Sequence, residues 1–101
     1  MTLKKLSDLE LIGFKKTKPL YKPVKSTSAW KKGMVYVLKD GKKRLIHFGD
    51  AKMEDFTQHK DEKRRKSYLA RAKGIKNKNG DFTWLDKNSA NYYSVRLLWD
   101  G

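Results

Sequence analysis

The chain has 101 residues and no cysteine, and its formal net charge is +14. This length suits one domain with one hydrophobic core, and 38% hydrophobic residues are enough to build that core. The lack of cysteine excludes disulfides and thiolate metal sites and fits a reducing compartment. We find no apolar run that would span a membrane and no signal peptide. The sequence therefore predicts a single intracellular domain without a membrane partner.

The positive charge is concentrated in two blocks. Residues 15–32 contain seven lysines and no acidic residue, and residues 60–78 contain nine basic and two acidic residues. The segments between and around them are close to neutral. Such clustering predicts a surface that binds a polyanion. The alternative is a lysine-rich surface that is merely solvated.

A short helix and an extended arm are predicted at the start of the chain. Ser7 and Glu10 have the spacing of a capping box, and Gly13 stands where a glycine ends a helix, which places the helix within residues 1–14. Pro19 and Pro23 favour extended backbone, so residues 15–32 are expected to form a basic arm. Residues 33–101 are then the compact domain.

The clearest local pattern is a β-hairpin at about residues 34–48. Asp40 and Gly41 form the two-residue signal of a type I′ turn, which pairs Val37 with Arg44. Both faces of this hairpin are apolar near its base. We therefore expect other elements to pack on both sides of it.

Two helices are predicted after the hairpin. Asp61 is a suitable N-cap for a helix near 61–73, in which Leu69 and Ala72 share the apolar side. A last helix is expected near 89–99. Together with the hairpin, these elements predict a small α+β domain.

The turn that joins hairpin and helix contains four groups that suit two interpretations. Carboxylates with one histidine could bind magnesium or manganese in a nuclease. The same side chains can instead cap helices and shape turns. Both interpretations stay open, and no catalytic residue, metal or cofactor is predicted. The four residues are Asp50, Asp55, His59 and Asp61.

Two arginines of the predicted helix are expected to have structural roles. Arg64 and Arg71 are seven residues apart and flank Tyr68. From that position a guanidinium could reach Asp50 or Asp55 and fix the turn against the helix. Tyr68 and Arg71 therefore complete the structural motif formed with the four residues of the turn.

Basic residues of the two blocks are the candidate nucleic-acid contacts, and Arg64 is a candidate for this role as well. Aromatic side chains within a lysine-rich segment can stack on bases of a single strand, or they can simply anchor the segment; Tyr21 and Trp30 are the candidates. The choice between DNA and RNA stays open. The predicted contacts are Lys15, Lys16, Lys18, Lys22, Lys25, Lys31, Lys32, Lys63, Arg64, Arg65, Lys66, Lys73 and Lys76.

The segment FGDAKMEDFTQHKDEKRRKSYLAR, followed by NSANYY near the C-terminus, resembles a family of small uncharacterised proteins from tailed bacteriophages and large DNA viruses. The resemblance covers about residues 33–100. It implies a viral origin, with the host cytoplasm or the virion as location, but no activity or cofactor. The family pattern has a histidine after the last arginine of this segment. This chain has Ala72 there, which weakens any proposal that needs a base at that position.

Three functional classes follow. The first is a non-enzymatic viral protein that binds nucleic acid or another polyanion with low sequence specificity. The second is a virion structural protein, capsid-associated or in the neck, whose arm contacts neighbouring virion proteins or the genome. The third, which the residues favour least, is a metal-dependent nuclease. No zinc finger, RNA-recognition motif or basic zipper is present to define a sequence preference.

Overall fold

The computed structural model describes residues 3–101, and the protein is α+β, as predicted. An antiparallel sheet in the order β1-β2-β3 has helices on both faces. None of the helices in residues 3–101 is long and apolar enough to cross a membrane. The strands are Val24–Lys25 (β1), Lys31–Lys39 (β2) and Lys42–Asp50 (β3). The α-helices are Asp8–Thr17 (α1), Phe56–His59 (α2), Glu62–Ala72 (α3) and Ala90–Tyr93 (α4), with a 3-10 turn at Thr83–Leu85 and a π-helix at Ser94–Leu98.

The predicted hairpin is confirmed in position and register. Lys39 pairs with Lys42, and Val37 pairs with Arg44. Asp40 and Gly41 have φ of 54° and 75°. Both central residues of a type I′ turn need positive φ, which aspartate tolerates and glycine adopts freely.

The hydrophobic core lies on both faces of β2, because successive side chains of a strand point to opposite faces. Val35 and Val37 pack with residues of α3 and the C-terminal helices. Met34 and Tyr36 pack with Phe14 of α1, whose ring centroid lies 5.0 Å from that of Tyr36. The protein therefore has three layers, with α1 on one side of the sheet and α3 on the other.

The N-terminal helix begins as predicted but ends later. Ser7 and Glu10 form the capping box. Gly13 does not end the helix, which continues to Thr17 and stops at Lys18, with φ of 49°. The longer helix places Phe14 against the sheet, and a helix this short gains most of its stability from such packing. The expected boundary at residue 14 is therefore wrong by three residues.

The segment predicted as an extended arm lies against the sheet. Its first three residues belong to α1, and Val24 and Lys25 form β1, which pairs with β2. The backbone N–H of Tyr21 also donates to the carbonyl of Tyr36, at 2.8 Å. These backbone bonds make this segment the edge of the sheet next to β2.

Both predicted helices of the second half are present. Asp61 caps α3 by accepting hydrogen bonds from the backbone of Lys63 and Arg64. Ser89 caps α4 and accepts from the backbone of Asn91. The last predicted helix is α-helical only to Tyr93 and then widens into the π-helix.

Candidate nucleic-acid interface

The first basic block remains largely open to solvent. Burial lowers the pKa of His47, and the nearby charges of Lys31 and Lys15 lower it further. The lowered pKa favours the neutral form of His47. Six of the seven lysines predicted in this block are exposed: Lys15, Lys16, Lys18, Lys22, Lys25 and Lys31.

Lys32, the seventh, is an internal residue. Its ammonium group donates to the Asp55 carboxylate at 2.6 Å, the Gln58 side-chain oxygen at 2.7 Å and the Met53 carbonyl at 2.5 Å. An ammonium group has three donors, and all three are used here. The prediction that Lys32 contacts nucleic acid is therefore not supported by its position.

Asp55 is the buried acidic partner of Lys32, with 3% of its surface exposed. It also caps α2, because its carboxylate accepts from the backbone N–H of Thr57 at 2.9 Å and from the Thr57 hydroxyl. Burial raises the pKa of Asp55, but the hydrogen bonds from Lys32 and Thr57 outweigh burial and lower the pKa overall. The carboxylate therefore stays ionised at neutral pH, and the pair ties β2 to α2.

The expected pairing of the α3 arginines with Asp50 or Asp55 is wrong. Arg71 is exposed and has no acidic partner within 4.0 Å among residues 3–101. Arg64 approaches Glu54, at 3.9 Å, and both side chains are at least half exposed. Asp55 is already paired with Lys32, so neither arginine of α3 supplies the positive charge that balances Asp55. Arg71 is thus available as a surface cation.

Arg65 instead has the structural role. Its guanidinium donates to the carbonyls of Trp99, at 3.0 Å, and Asp100, at 2.6 Å, and pairs with Glu62. One turn further, the ring of Tyr68 stacks on Trp99 with centroids 4.0 Å apart. These contacts hold the C-terminal segment on α3. Arg65 is therefore largely withdrawn from the candidate interface, whereas Lys63 and Lys66 remain exposed.

Two basic residues at the end of the second block lie over aromatic rings that we did not predict as site residues. The ammonium of Lys73 lies 4.8 Å from the ring centroid of Trp84, and that of Lys76 lies 4.8 Å from Phe82. A turn over residues 77–80 folds the chain back, so that Lys76 and Phe82 form an antiparallel bridge. The turn-rich sequence KNKNGD signals this reversal.

The two candidate stacking residues differ in availability. Trp30 is 64% exposed, and its backbone is held by hydrogen bonds to Ala51 and Ser28. The ammonium of Lys52 lies 4.7 Å from its ring centroid. Tyr21 is half-buried and its hydroxyl donates to Asn88 at 2.9 Å. Trp30 fits a stacking role, whereas Tyr21 is an anchor.

An open groove of about 920 Å³ lies between the start of α1, the loop before β2 and α2. Exposed Lys5, Lys25 and Lys31 line it, as do the hydroxyls of Ser26 and Thr27. Ammonium and hydroxyl groups are donors that bind phosphate oxygens. The groove adds a concave part to the basic surface beside Trp30.

The four candidate metal ligands are not brought together. Within residues 3–101, no three His, Asp or Glu side chains lie close enough to hold a metal ion. Asp55 pairs with Lys32, Asp61 caps α3, and Asp50 accepts from the backbone of Lys52. The Nδ1 atom of His59 accepts from the backbone N–H of Asp61, at 2.9 Å. These side chains therefore cap helices and shape the turn, which is the second of the two interpretations.

Few of the exposed cations are neutralised by the fold. Four ion pairs occur in the part of the chain from residue 3 onward, and two of them use Lys32 and Arg65. The exposed lysines of both blocks thus keep their charge. Because α1 and α3 pack on opposite faces of the sheet, these charges form two surfaces. We call Lys15, Lys16 and Lys18 the α1 surface, and Lys63, Lys66 and Arg71 the α3 surface.

These features define a small three-layer α+β protein with a basic surface on each outer layer. Residues 22–72 match a family of unknown function, DUF5754. The chain belongs to that family, and the matched segment contains the whole sheet, α2 and α3. No curated protein and no solved structure matches the chain.

Substitution of Trp30 tests whether its exposed ring contributes to binding of single-stranded nucleic acid. Base stacking on an aromatic ring contributes about 1–3 kcal/mol per base. We expect Trp30→Ala to weaken binding to a single-stranded oligonucleotide by about 5- to 150-fold, as measured by fluorescence anisotropy. Trp30→Phe keeps an aromatic face and should lose less. Equal affinities for Trp30→Ala and the parent would show that Trp30 does not stack.

Proposed function

We propose that this protein binds nucleic acid non-enzymatically and with low sequence specificity, through the exposed basic side chains of both blocks. The observation that carries the proposal is the exposed charge of the α1 and α3 surfaces, which no acidic side chain within residues 3–101 neutralises. Lysine and arginine side chains bind phosphates and release condensed counterions. Such contacts read the backbone and not the base sequence.

The arrangement of the internal cations supports the same proposal. Lys32 and Arg65 have specific partners inside the fold, whereas the side chains of Lys63, Lys66 and Arg71 form no ion pair with the described residues, 3–101. Basic residues that only kept the protein in solution would not need this concentration in two blocks. Another polyanion would satisfy the same charges, and nucleic acid is the ligand that we propose.

The salt dependence of binding tests the proposal. We expect affinity for a duplex, measured by fluorescence anisotropy, to fall steeply with salt and to vary little with sequence. Each phosphate contact contributes about 0.9 to the slope of log affinity against log salt, so Lys63→Gln with Lys66→Gln should reduce that slope by about two.

The matched control replaces two exposed lysines of the hairpin tip outside both blocks, Lys39→Gln with Lys42→Gln. This control changes net charge equally and should leave the slope nearly unchanged. Affinity that is the same at low and high salt would refute the proposal. Equal slopes for the two double variants would refute the assignment of the α3 surface.

A second candidate function is that of a viral structural component, since the motif in residues 48–71 suggests a viral origin. The specific observation in its favour is a pair of apolar residues on the outer side of α1, Leu9 and Ile12, which are 81% and 65% exposed. Exposed apolar residues three apart on a helix suit contact with a neighbouring subunit. Mass spectrometry of purified particles tests this: a copy number that matches a symmetric assembly supports it, and absence from particles refutes it.

A further inference from the structure

We propose that one molecule binds two nucleic-acid duplexes at the same time, one on the α1 surface and one on the α3 surface, and so bridges them. The inference rests on the proposed function, because it needs both surfaces to bind nucleic acid. It adds a function that binding alone does not give: the protein would hold separate segments of nucleic acid together.

The first support is the position of the two surfaces. Phe14 of α1 packs on the face of β2 that carries Met34 and Tyr36. Leu69 of α3 belongs to the buried cluster that contains Val35, whose side chain points to the opposite face. The sheet therefore separates the two helices, and their solvent sides face away from each other. The α1 surface and the α3 surface therefore lie on different sides of the sheet.

The second support is the exposed positive charge on each of the two surfaces. Lys15, Lys16 and Lys18 are exposed on one side, and Lys63, Lys66 and Arg71 are exposed on the other. None of the six side chains forms an ion pair within residues 3–101. Neutralising three phosphates on either side would give each surface a salt-dependent affinity of its own.

The third support is the stiffness of duplex DNA. The molecule measures 40 × 33 × 19 Å along its principal axes. Duplex DNA is stiff over about 150 base pairs, so a duplex of about 20 base pairs does not curve around a body of this size. When a duplex occupies one surface, the other remains free, and its charge attracts a second duplex.

A two-duplex capture experiment tests the inference. A biotinylated duplex of about 20 base pairs is fixed on beads, and a fluorescent duplex is added with the protein at low salt. We expect the parent protein to retain the fluorescent duplex on the beads. Sedimentation equilibrium without DNA should show a monomer. A dimer would overturn the inference, because it could bridge two duplexes with one surface from each copy.

Two triple variants separate bridging from binding. Lys15→Gln with Lys16→Gln and Lys18→Gln neutralises the α1 surface, and Lys63→Gln with Lys66→Gln and Arg71→Gln neutralises the α3 surface. All six positions are exposed, so both variants should keep the fold. We expect each variant to remain bound to the fixed duplex and to retain about tenfold less of the fluorescent one, because it has lost three phosphate contacts on one surface.

Failure of the inference and failure of the proposed function give different results. If the parent binds the fixed duplex but retains no second duplex, the bridging proposal is wrong and the proposed function stands. If either triple variant captures the second duplex as well as the parent does, bridging does not need two faces and the inference is also wrong. If the parent binds no fixed duplex at all, the proposed function fails and the inference fails with it.

Discussion

Asp55→Ala is expected to lower the free energy of unfolding by about 3–5 kcal/mol, as measured by urea denaturation. The substitution removes the acidic partner of the largely buried Lys32 and leaves its ammonium with two neutral acceptors, the Met53 carbonyl and the Gln58 side chain. It also removes the cap of α2, which Asp55 provides through Thr57. A charge left uncompensated inside a protein is costly because it has lost its water.

Glu54→Ala is the matched control, since Glu54 is the neighbouring acid and is exposed. Its contact with Arg64 is long and open to solvent, so we expect a change within about 0.5 kcal/mol. Similar losses of stability for the two variants would contradict the structural role of the Lys32–Asp55 pair.

The same pair predicts a pH dependence of stability. The pKa of Asp55 is lowered in the folded protein from its ordinary value of 3.8. A lowered pKa means that the unfolded chain takes up the proton first as pH falls. The contribution of Asp55 is therefore complete above about pH 5 and is lost progressively as pH falls through the ordinary pKa and then the lowered one. Urea denaturation should show a smaller acid-induced loss for Asp55→Ala than for the parent.

Gly33→Ala is the second substitution with a large expected effect. A Cβ atom at this position would overlap the ring of Phe48 and lie 2.8 Å from the Leu3 Cδ1 atom. Phe48 is almost completely buried and packs on the ring of Tyr93, so it has no space to move into. Overpacking of a core typically costs about 1–3 kcal/mol, and we expect a loss in the upper part of this range by thermal denaturation.

Gly13→Ala is the control for the second substitution, because it makes the same chemical change in a different environment. A Cβ at Gly13 would meet no atom within 4 Å, and the residue lies inside α1. Alanine is a better helix former than glycine, so this variant should gain about 0.5–1 kcal/mol. Gly33→Ala with stability equal to or above that of the parent would show that β2 and β3 do not pack as described.

The hairpin and the helix starts could be predicted because their signals are local. A turn of the type Asp40-Gly41 determines both its own geometry and the register of the strands beside it. The caps at Ser7, Asp61 and Ser89 also depend on residues at most three positions away. Apolar residues on both faces of the hairpin correctly indicated layers on both sides.

The internal contacts of the cations could not be predicted, because they join residues that are distant in the sequence. Lys32 meets Asp55 across 23 residues, and Arg65 meets the carbonyl of Trp99 across 34. The sequence does not show which lysines of a basic block are internal and which are exposed. Lys32 could therefore not be distinguished from the other six lysines of its block. The helical spacing of Arg71 suggested that it pairs with an acidic residue of the turn, but in the fold Asp55 pairs with Lys32.

The matched family segment places these contacts in context. Residues 22–72 include Lys32, Asp55 and the exposed lysines of α3, but they exclude α1 and the C-terminal segment. The Lys32–Asp55 pair therefore lies within the part of the chain that matches the family, whereas the α1 surface lies outside it. The bridging proposal needs residues from both parts.

Mapping backbone amide chemical shifts by NMR during titration with a short duplex tests the central claim most directly. The claim is that the α1 and α3 surfaces are the nucleic-acid interface. We expect shifts to concentrate at Lys15, Lys16, Lys63 and Lys66 and to reverse when salt is added. The amides of the internal residues Lys32 and Arg65 should change little. Shifts that avoid both surfaces, or that persist unchanged at high salt, would contradict the claim.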